Sequence, residues 1–359
     1  MARKEGGTIL SYTSDFEEYQ RLGEPEKVEK SQIWQTAIGL QQVDGLTPSE
    51  YLIKTAKLNI EGKITIYEVH ERLNSYYEAM PVKTADDRTE EADKVSARIT
   101  EILSEKTFSF SPAEYITIHK RLFTGIYKFA GKIRDYNVSK KEWVLAGETV
   151  YYASADSIRA TLDYDFNQEK SFVYKNLRKE QIVEHIVKFV SGLWQIHAFG
   201  EGNTRTTAVF TIKYLRTIGF LVTNDLFADH SWYFRNALVR ANYNDYKNNI
   251  YSTFEYLNRF FGNLLLGESN TLRNRDLRVL LGSGTNVPVK AENVPVNVPV
   301  KRKDEIIRML LENPDLTADE LAATFSFTAK TIKRDFAALK NEGKIKRVGS
   351  DKTGHWEIV

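Results

Sequence analysis

Residues 197 to 206 read HAFGEGNTRT, and these ten positions hold most of the chemistry the chain offers. His197 is the group able to take a proton near neutral pH. Gly200 and Gly202 let the backbone turn so that its N–H groups converge. Asn203 stands just before an expected helix, with Thr204 and Arg205 in its first turn, where free N–H groups and the positive end of the dipole favour an anion. Such a nest suits a diphosphate, and the Arg205 guanidinium can fork onto the same oxygens. Glu201 is an oxygen ligand beside them, and magnesium typically binds through one or two carboxylates plus substrate phosphates. A base, a metal carboxylate and a phosphate cradle together describe attack by a hydroxyl on a nucleotide phosphate.

The flanks must position this loop. Before it, Ile182, Ile186, Phe189, Val190, Leu193 and Trp194 fall at helical spacing; after it, Val209, Ile212, Leu215 and Ile218 repeat the pattern. The loop therefore joins two buried helices. Up to about residue 283 the chain reads as mostly helical, with amphipathic stretches around 50–80, 90–106, 112–128, 181–196, 204–218 and 245–266. One piece departs: Gly131 to Ala153, rich in β-branched and aromatic residues around Ala-Gly-Glu, predicts a short hairpin. Asn-Val-Pro-Val then occurs three times, from Asn286, Asn293 and Asn297. Proline and its effect on the preceding residue make this an extended tether, with a proline-bearing edge strand as the other extended option.

After that tether, Asn313-Pro314 ends one helix, Thr317 caps a second ahead of Glu320, and Thr328 caps a third running to Asn341 before a basic two-stranded end. This is the layout of a winged helix-turn-helix. From Thr328 to Lys352 there are eight Lys or Arg against three acids. Thr328, Lys330, Thr331, Lys333 and Arg334 would face nucleic acid from the recognition helix, and Lys346 and Arg347 from the wing. Such modules also serve as protein adaptors.

The 359 residues are long enough for two or three domains. A net charge of +2 gives no global attraction to nucleic acid or membrane, and the absence of cysteine excludes disulfides, thiolate metal sites and cysteine nucleophiles. No signal peptide or membrane-spanning run is legible, so the expected location is cytoplasmic.

The spacing His-x-Phe-x-Glu-Gly-Asn-x-Arg, from His197 to Arg205, resembles the signature of the Fic family, and the similarity extends from about Phe108 to Gly267. The resemblance implies a mainly α fold: a helical Fic-type core with a short β-hairpin flap, followed here by the small winged helix-turn-helix. The implied division is an N-terminal helical region (1–107) with an antitoxin-like inhibitory segment (about 31–80), a catalytic domain (108–283), a Val/Pro-rich linker (284–302) and the C-terminal domain (303–359). The family's usual activity is transfer of AMP from ATP to a Ser, Thr or Tyr hydroxyl of a target protein. On that reading His197 is the general base, Phe199 a core anchor, and Glu201 the Mg2+ ligand. Gly200, Gly202, Asn203, Thr204 and Arg205 form the phosphate site, and the flap holds the target by strand addition.

Two departures stand out. The family's second arginine, three residues after the first, is Ala208 here, and the inhibitory glutamate that pairs with it aligns with Asp44 in Leu-Gln-Gln-Val-Asp-Gly. With both ends of that pair altered, Asp44 is expected to block the site by occupying space. Glu61-Gly62 is a second inhibitory candidate. The implied partners are ATP, a hydroxyl-bearing protein and DNA, with a homodimer left open. The alternatives are a DNA-binding regulator whose Fic domain binds nucleotide without transfer, or a Fic enzyme using another nucleotide.

Overall fold

The two apolar runs around the glycine-rich loop fold as helices, and the other elements are built against them. The computed structural model describes residues 16–80, 87–220, 222, 225–279, 297–300, 306–307, 309–310, 313–325, 332–333, 336–337, 339–340, 344–348 and 355–358. Its N-terminal part contains α1 (Glu17–Leu22), α2 (Pro25–Gly39), a 3₁₀ turn (Leu40–Asp44), α3 (Glu50–Ile60), α4 (Ile66–Glu78) and α5 (Thr89–Ser104). Then come α6 (Pro112–Phe123), strand β1 (Asn137–Lys140), α7 (Ile158–Ser171), α8 (Lys179–Ile196), α9 (Asn203–Thr217), α10 (Asp225–Ala241) and α11 (Glu255–Leu266). Strand β2 (Asn297–Val300), α12 (Ala318–Phe325), β3 (Ile345–Val348) and β4 (His355–Ile358) follow. The protein is mainly helical, as expected.

The core explains the arrangement. Ile186, Val187, Val190 and Leu193 of α8 and Val209, Phe210, Ile212 and Leu215 of α9 are buried together with Tyr115, Leu122 and Phe123 of α6. Each such side chain contributes about 1.5–3 kcal/mol on leaving water. Helix α2 has apolar residues on two sides: Ile33, Ala37 and Leu40 just beyond its end join this core, while Trp34 and Ile38 join a second cluster with Leu52, Ile60, Val69 and Leu73. Its end is pressed against α10, since a Cβ on Gly39 would lie 2.4 Å from the Ala228 carbonyl oxygen. A third cluster, with Ile306, Leu310, Leu321, Ile332, Phe336 and Leu339, serves the C-terminal part.

Two expectations are corrected. The stretch from Gly131 to Ala153 doubles back, but as β1 followed by a 3₁₀ turn (Trp143–Leu145), not as a two-stranded hairpin. Val144 and Leu145 are drawn into the main core, and Ala146 and Gly147 take positive φ, so this segment supplies no second strand of its own. The ladder partner of β1 is instead the third Asn-Val-Pro-Val repeat, antiparallel, with Asn137 opposite Val300 and Lys140 opposite Asn297. There the repeat is an edge strand; the first two copies lie outside the described residues. The α-helix expected from 245 begins only at Glu255: residues 246–248 form a short 3₁₀ turn, Asp245 bridges Ile250 around it, and the Asp245 carboxylate accepts from the Asn248 N–H.

Candidate active site

Helix α8 ends because His197 adopts the left-handed conformation (φ 49°, ψ 55°), rare for a residue with a side chain. Arg134 holds that corner. Its Nε donates to the His197 carbonyl at 2.7 Å and its backbone N–H to the Ala198 carbonyl at 3.0 Å. Its remaining donors go to the carbonyls of Tyr136, Ala153 and Ile196. The imidazole lies flat on the Tyr152 ring (centroids 4.0 Å apart) and edge-on to Trp194. It is buried, and neither ring nitrogen has a hydrogen-bond partner. Burial, with Lys140, Arg134 and Arg235 close by, pushes its pKa well below 6.5, so the ring is neutral. Leaving two buried nitrogens unpaired costs free energy, and it leaves a base free to accept a proton. Behind Tyr152, its hydroxyl donates to Glu142, which pairs with Arg235 at 2.7 Å.

The loop that follows is closed on itself. Asn203 Nδ2 donates to the Phe199 carbonyl at 2.8 Å, and its Oδ1 accepts the Phe199 N–H at 3.0 Å. The Thr204 hydroxyl accepts from Trp194 Nε1 at 3.0 Å. Both side chains therefore shape the turn, and any anion contact from these two residues would come from backbone N–H groups. Helix α9 starts without a side-chain cap, so its first N–H groups are not covered in that way. Gly202 has φ +77°, and a Cβ there would meet the Phe123 ring at 2.4 Å. Gly202→Ala is thus expected to cost at least about 1–3 kcal/mol through backbone strain alone, with a further loss from displacing Phe123. Urea unfolding measures it, and an unchanged midpoint would contradict the account. At Gly200 a Cβ would lie 2.6 Å from the Tyr136 hydroxyl.

Arg205 is wholly buried and surrounded by acceptors from the N-terminal elements. Its Nε is 2.8 Å from Asp44 Oδ2, its Nη2 is 2.7 Å from Glu91 Oε1, and its Nη1 donates to Gln41 Oε1 at 3.0 Å. The guanidinium also lies over the Phe123 ring. Burial alone would raise the Asp44 pKa, but Arg205, then Lys140 and Arg235, outweigh it and hold the carboxylate ionised. Burial likewise opposes the charge on Arg205, and Asp44, Tyr127 and Glu91 more than restore it. The alignment leaves Asp44 without a cationic partner, its counterpart being Ala208; the structure pairs it instead with the first arginine of the motif. Ala208 is packed in the core. The segment bearing Asp44 is tied down from both sides, by Ser231 Oγ donating to the Gly39 carbonyl and by the left-handed Gly45 after it.

Glu201 sits at the edge of the cradle. Its Oε1 accepts the Gly202 N–H at 3.2 Å and lies 3.3 Å from Lys140 Nζ. Its carbonyl accepts from His119 Nε2 at 3.0 Å, while His119 Nδ1 accepts the Gly131 N–H at 2.9 Å. Burial depresses His119 to about 3, so it is a neutral structural histidine. It stacks on Phe199 at 3.7 Å and so joins the base of the β1 segment to the loop. One carboxylate beside the uncapped start of α9 would suit a magnesium ion that takes most of its ligands from phosphates. No group of three or more His, Asp or Glu able to hold a metal occurs among the described residues.

The structure thus brings together His197, Gly200, Glu201, Gly202, Asn203, Thr204, Arg205 and Asp44. It does not bring in Glu61, which accepts from Tyr19 and pairs with Lys63. Thr328, Lys330, Thr331 and Arg334 lie outside the described residues. Lys333 is helical and exposed. On the wing, Lys346 pairs with Glu357 at 2.7 Å, and the Arg347 guanidinium lies over Trp356. The expected cap of α12 is present: Thr317 Oγ1 accepts the Glu320 N–H, and the Glu320 carboxylate accepts the Thr317 N–H. Sequence reasoning missed Gln41, Glu91, Arg134, Lys140 and Tyr152. Each is remote in sequence from the loop and belongs to no motif or periodic pattern, so no local signal marked it.

Residues 109–215 match the family model of the Fic/DOC family, and residues 302–349 that of the DeoR-like helix-turn-helix domain. The chain carries a Fic domain followed by a helix-turn-helix domain. Among solved structures, it is similar to a Fic family protein from Desulfovibrio desulfuricans G20, at 13% identity over 99% of this chain and 98% of that one, with a TM-score of 0.41. It is also similar to the N-terminal Fic domain of an effector protein from Bartonella sp. AR 15-3, at 18% identity over 56% of this chain and 80% of that one, with a TM-score of 0.35. Among the curated proteins, none matches the chain. No described helix is long and apolar enough to cross a membrane.

Proposed function

We propose that the chain is a Fic-type nucleotidyltransferase that moves AMP from ATP to a Ser, Thr or Tyr hydroxyl of a target protein, and that it is held in a braked state by Asp44. The observation that carries this is His197: neutral, buried, with both ring nitrogens unpaired, one loop away from the α9 N-terminus. The hydroxyl oxygen of the target bonds to the α-phosphorus, its proton passes to His197, and the bond to the β-phosphate oxygen breaks to release diphosphate. Backbone N–H groups at the start of α9 and the Arg205 guanidinium, once free of Asp44, hold the phosphates. A magnesium ion at Glu201, when bound, would neutralise charge on the leaving phosphates. β1 supports strand addition as the mode of target docking, since its edge already accepts an extended segment. The helix-turn-helix domain supports DNA as a further partner.

The test is intact-mass analysis of the Asp44→Ala chain incubated with magnesium and each α-labelled nucleoside triphosphate, alone and with a cell extract. A gain of one nucleoside monophosphate on the chain or on an extract protein is expected. Nucleotide binding without any modified protein would instead favour a DNA-binding regulator that senses nucleotide, the reading that Ala208 in place of the second arginine favours.

A further inference from the structure

The Asp44 carboxylate has cations on both oxygens. Oδ2 faces Arg205, and Oδ1 lies 3.9 Å from Nζ of Lys140, the last residue of β1. The Lys140 side chain is 5% exposed, and its ammonium also lies 3.3 Å from Glu201 Oε1. A buried ammonium is tolerated only beside negative charge. Here one counter-charge, Glu201, belongs to the catalytic loop, and the other, Asp44, sits on a 3₁₀ turn that the brake brings in. If Asp44 leaves, Arg205 and Lys140 face the same vacated position, and because Arg88 also pairs with Glu91, three cations are left against the two carboxylates of Glu91 and Glu201. An incoming ligand that restores the balance must be anionic and must present oxygens to a guanidinium on one side and an ammonium on the other. Phosphate has that charge and shape. Ala208, buried in the core, cannot supply the second cation.

We propose that Lys140 is the second phosphate-binding cation of the nucleotide site, and that with Arg205 it holds the β- or γ-phosphate group whose place the Asp44 carboxylate takes. The inference rests on the nucleotide reading above and deepens it. Because Lys140 closes β1 and stands opposite Asn297 in the ladder, the residue that grips the polyphosphate also belongs to the strand that receives an extended segment. Nucleotide occupancy and flap order are then linked through one side chain.

Titration calorimetry on the full chain carrying Asp44→Ala, with and without Lys140→Met or Lys140→Arg, tests it with AMP, ATP and inorganic tripolyphosphate in magnesium buffer. Lys140→Met is expected to weaken ATP and tripolyphosphate by about 10–100-fold, the range for a hydrogen bond to a charged group, while leaving AMP within about twofold. Lys140→Arg is expected to restore most of the loss, and thermal melting confirms that each variant is folded. Equal weakening of AMP and ATP, or no weakening of either, overturns the proposal while leaving nucleotide binding intact. If the folded Asp44→Ala chain binds none of the three probes, the nucleotide reading itself fails and this assignment fails with it.

Discussion

His197→Ala is expected to lower nucleotidyl transfer by about 10²–10⁴-fold, the range for removal of a general base, while nucleotide affinity stays within a small factor. The ring stacks on Tyr152 and meets Trp194 edge-on, both outside the loop, and the loop carbonyls are held by Arg134 without help from the imidazole. Alanine at φ 49° adds strain that asparagine tolerates better, so His197→Asn serves as the control for backbone conformation. Both should be equally inactive and still bind nucleotide. The pH profile gives an independent check. Because burial and the surrounding cations depress the His197 pKa below 6.5, its base form is complete at neutral pH and is lost only as pH falls through that lowered value. The transfer rate should therefore show no acidic limb centred at 6.5. A limb at or above that pH, or a variant retaining more than a tenth of the rate, would remove His197 from the base role.

How much of this was legible beforehand follows the distance over which each feature is encoded. The loop is a local object: glycines where φ is positive or a Cβ would clash, a histidine at a helix end, an arginine one turn into the next helix. Ten contiguous residues were enough to assemble it. Most helices around it show in their apolar spacing for the same reason; α7 and α10 were not marked by it, and α2, buried on two sides, lacks a single apolar stripe. The Asp44 turn was legible as a segment but not in its pairing. Alignment pointed to a missing partner at Ala208, whereas the partner, Arg205, lies a turn nearer the N-terminus of the same helix. Glu91, Arg134 and Lys140 carry no periodic or motif signal, because their roles exist only where three distant segments converge. The β-branched content of the flap was read correctly as a tendency to extend, yet a strand needs a neighbour, and the neighbour came from the proline-bearing linker about 160 residues away in sequence.

Asp44→Ala should make the chain less stable without ligand and more responsive to it. Removing one member of a buried ion pair leaves Arg205 and Lys140 undercompensated, at a cost of about 3–5 kcal/mol when nothing replaces the lost charge. Glu91, Gln41 and Glu201 remain and will soften that loss. The same uncompensated charge is what a nucleotide polyphosphate neutralises, so binding and stability are linked through one position. The apo melting temperature is expected to fall, the rise produced by magnesium and ATP to grow, and transfer, measured by label incorporation, to increase about tenfold or more, equivalent to at least about 1.4 kcal/mol of relieved competition. Asp44→Asn separates charge from volume: it keeps the side chain's size and removes its charge. If space alone imposes the brake, Asp44→Asn behaves as the parent chain; if the pairing with Arg205 imposes it, Asp44→Asn approaches Asp44→Ala. Deleting residues 1–107 would be a poorer experiment, because it also removes α5, whose Val95, Ile99, Ile102 and Leu103 are part of the main core. Equal nucleotide affinity in the parent, Asp44→Ala and Asp44→Asn chains would show that the carboxylate does not compete with the ligand, and the brake would then have to be sought elsewhere in the N-terminal helices.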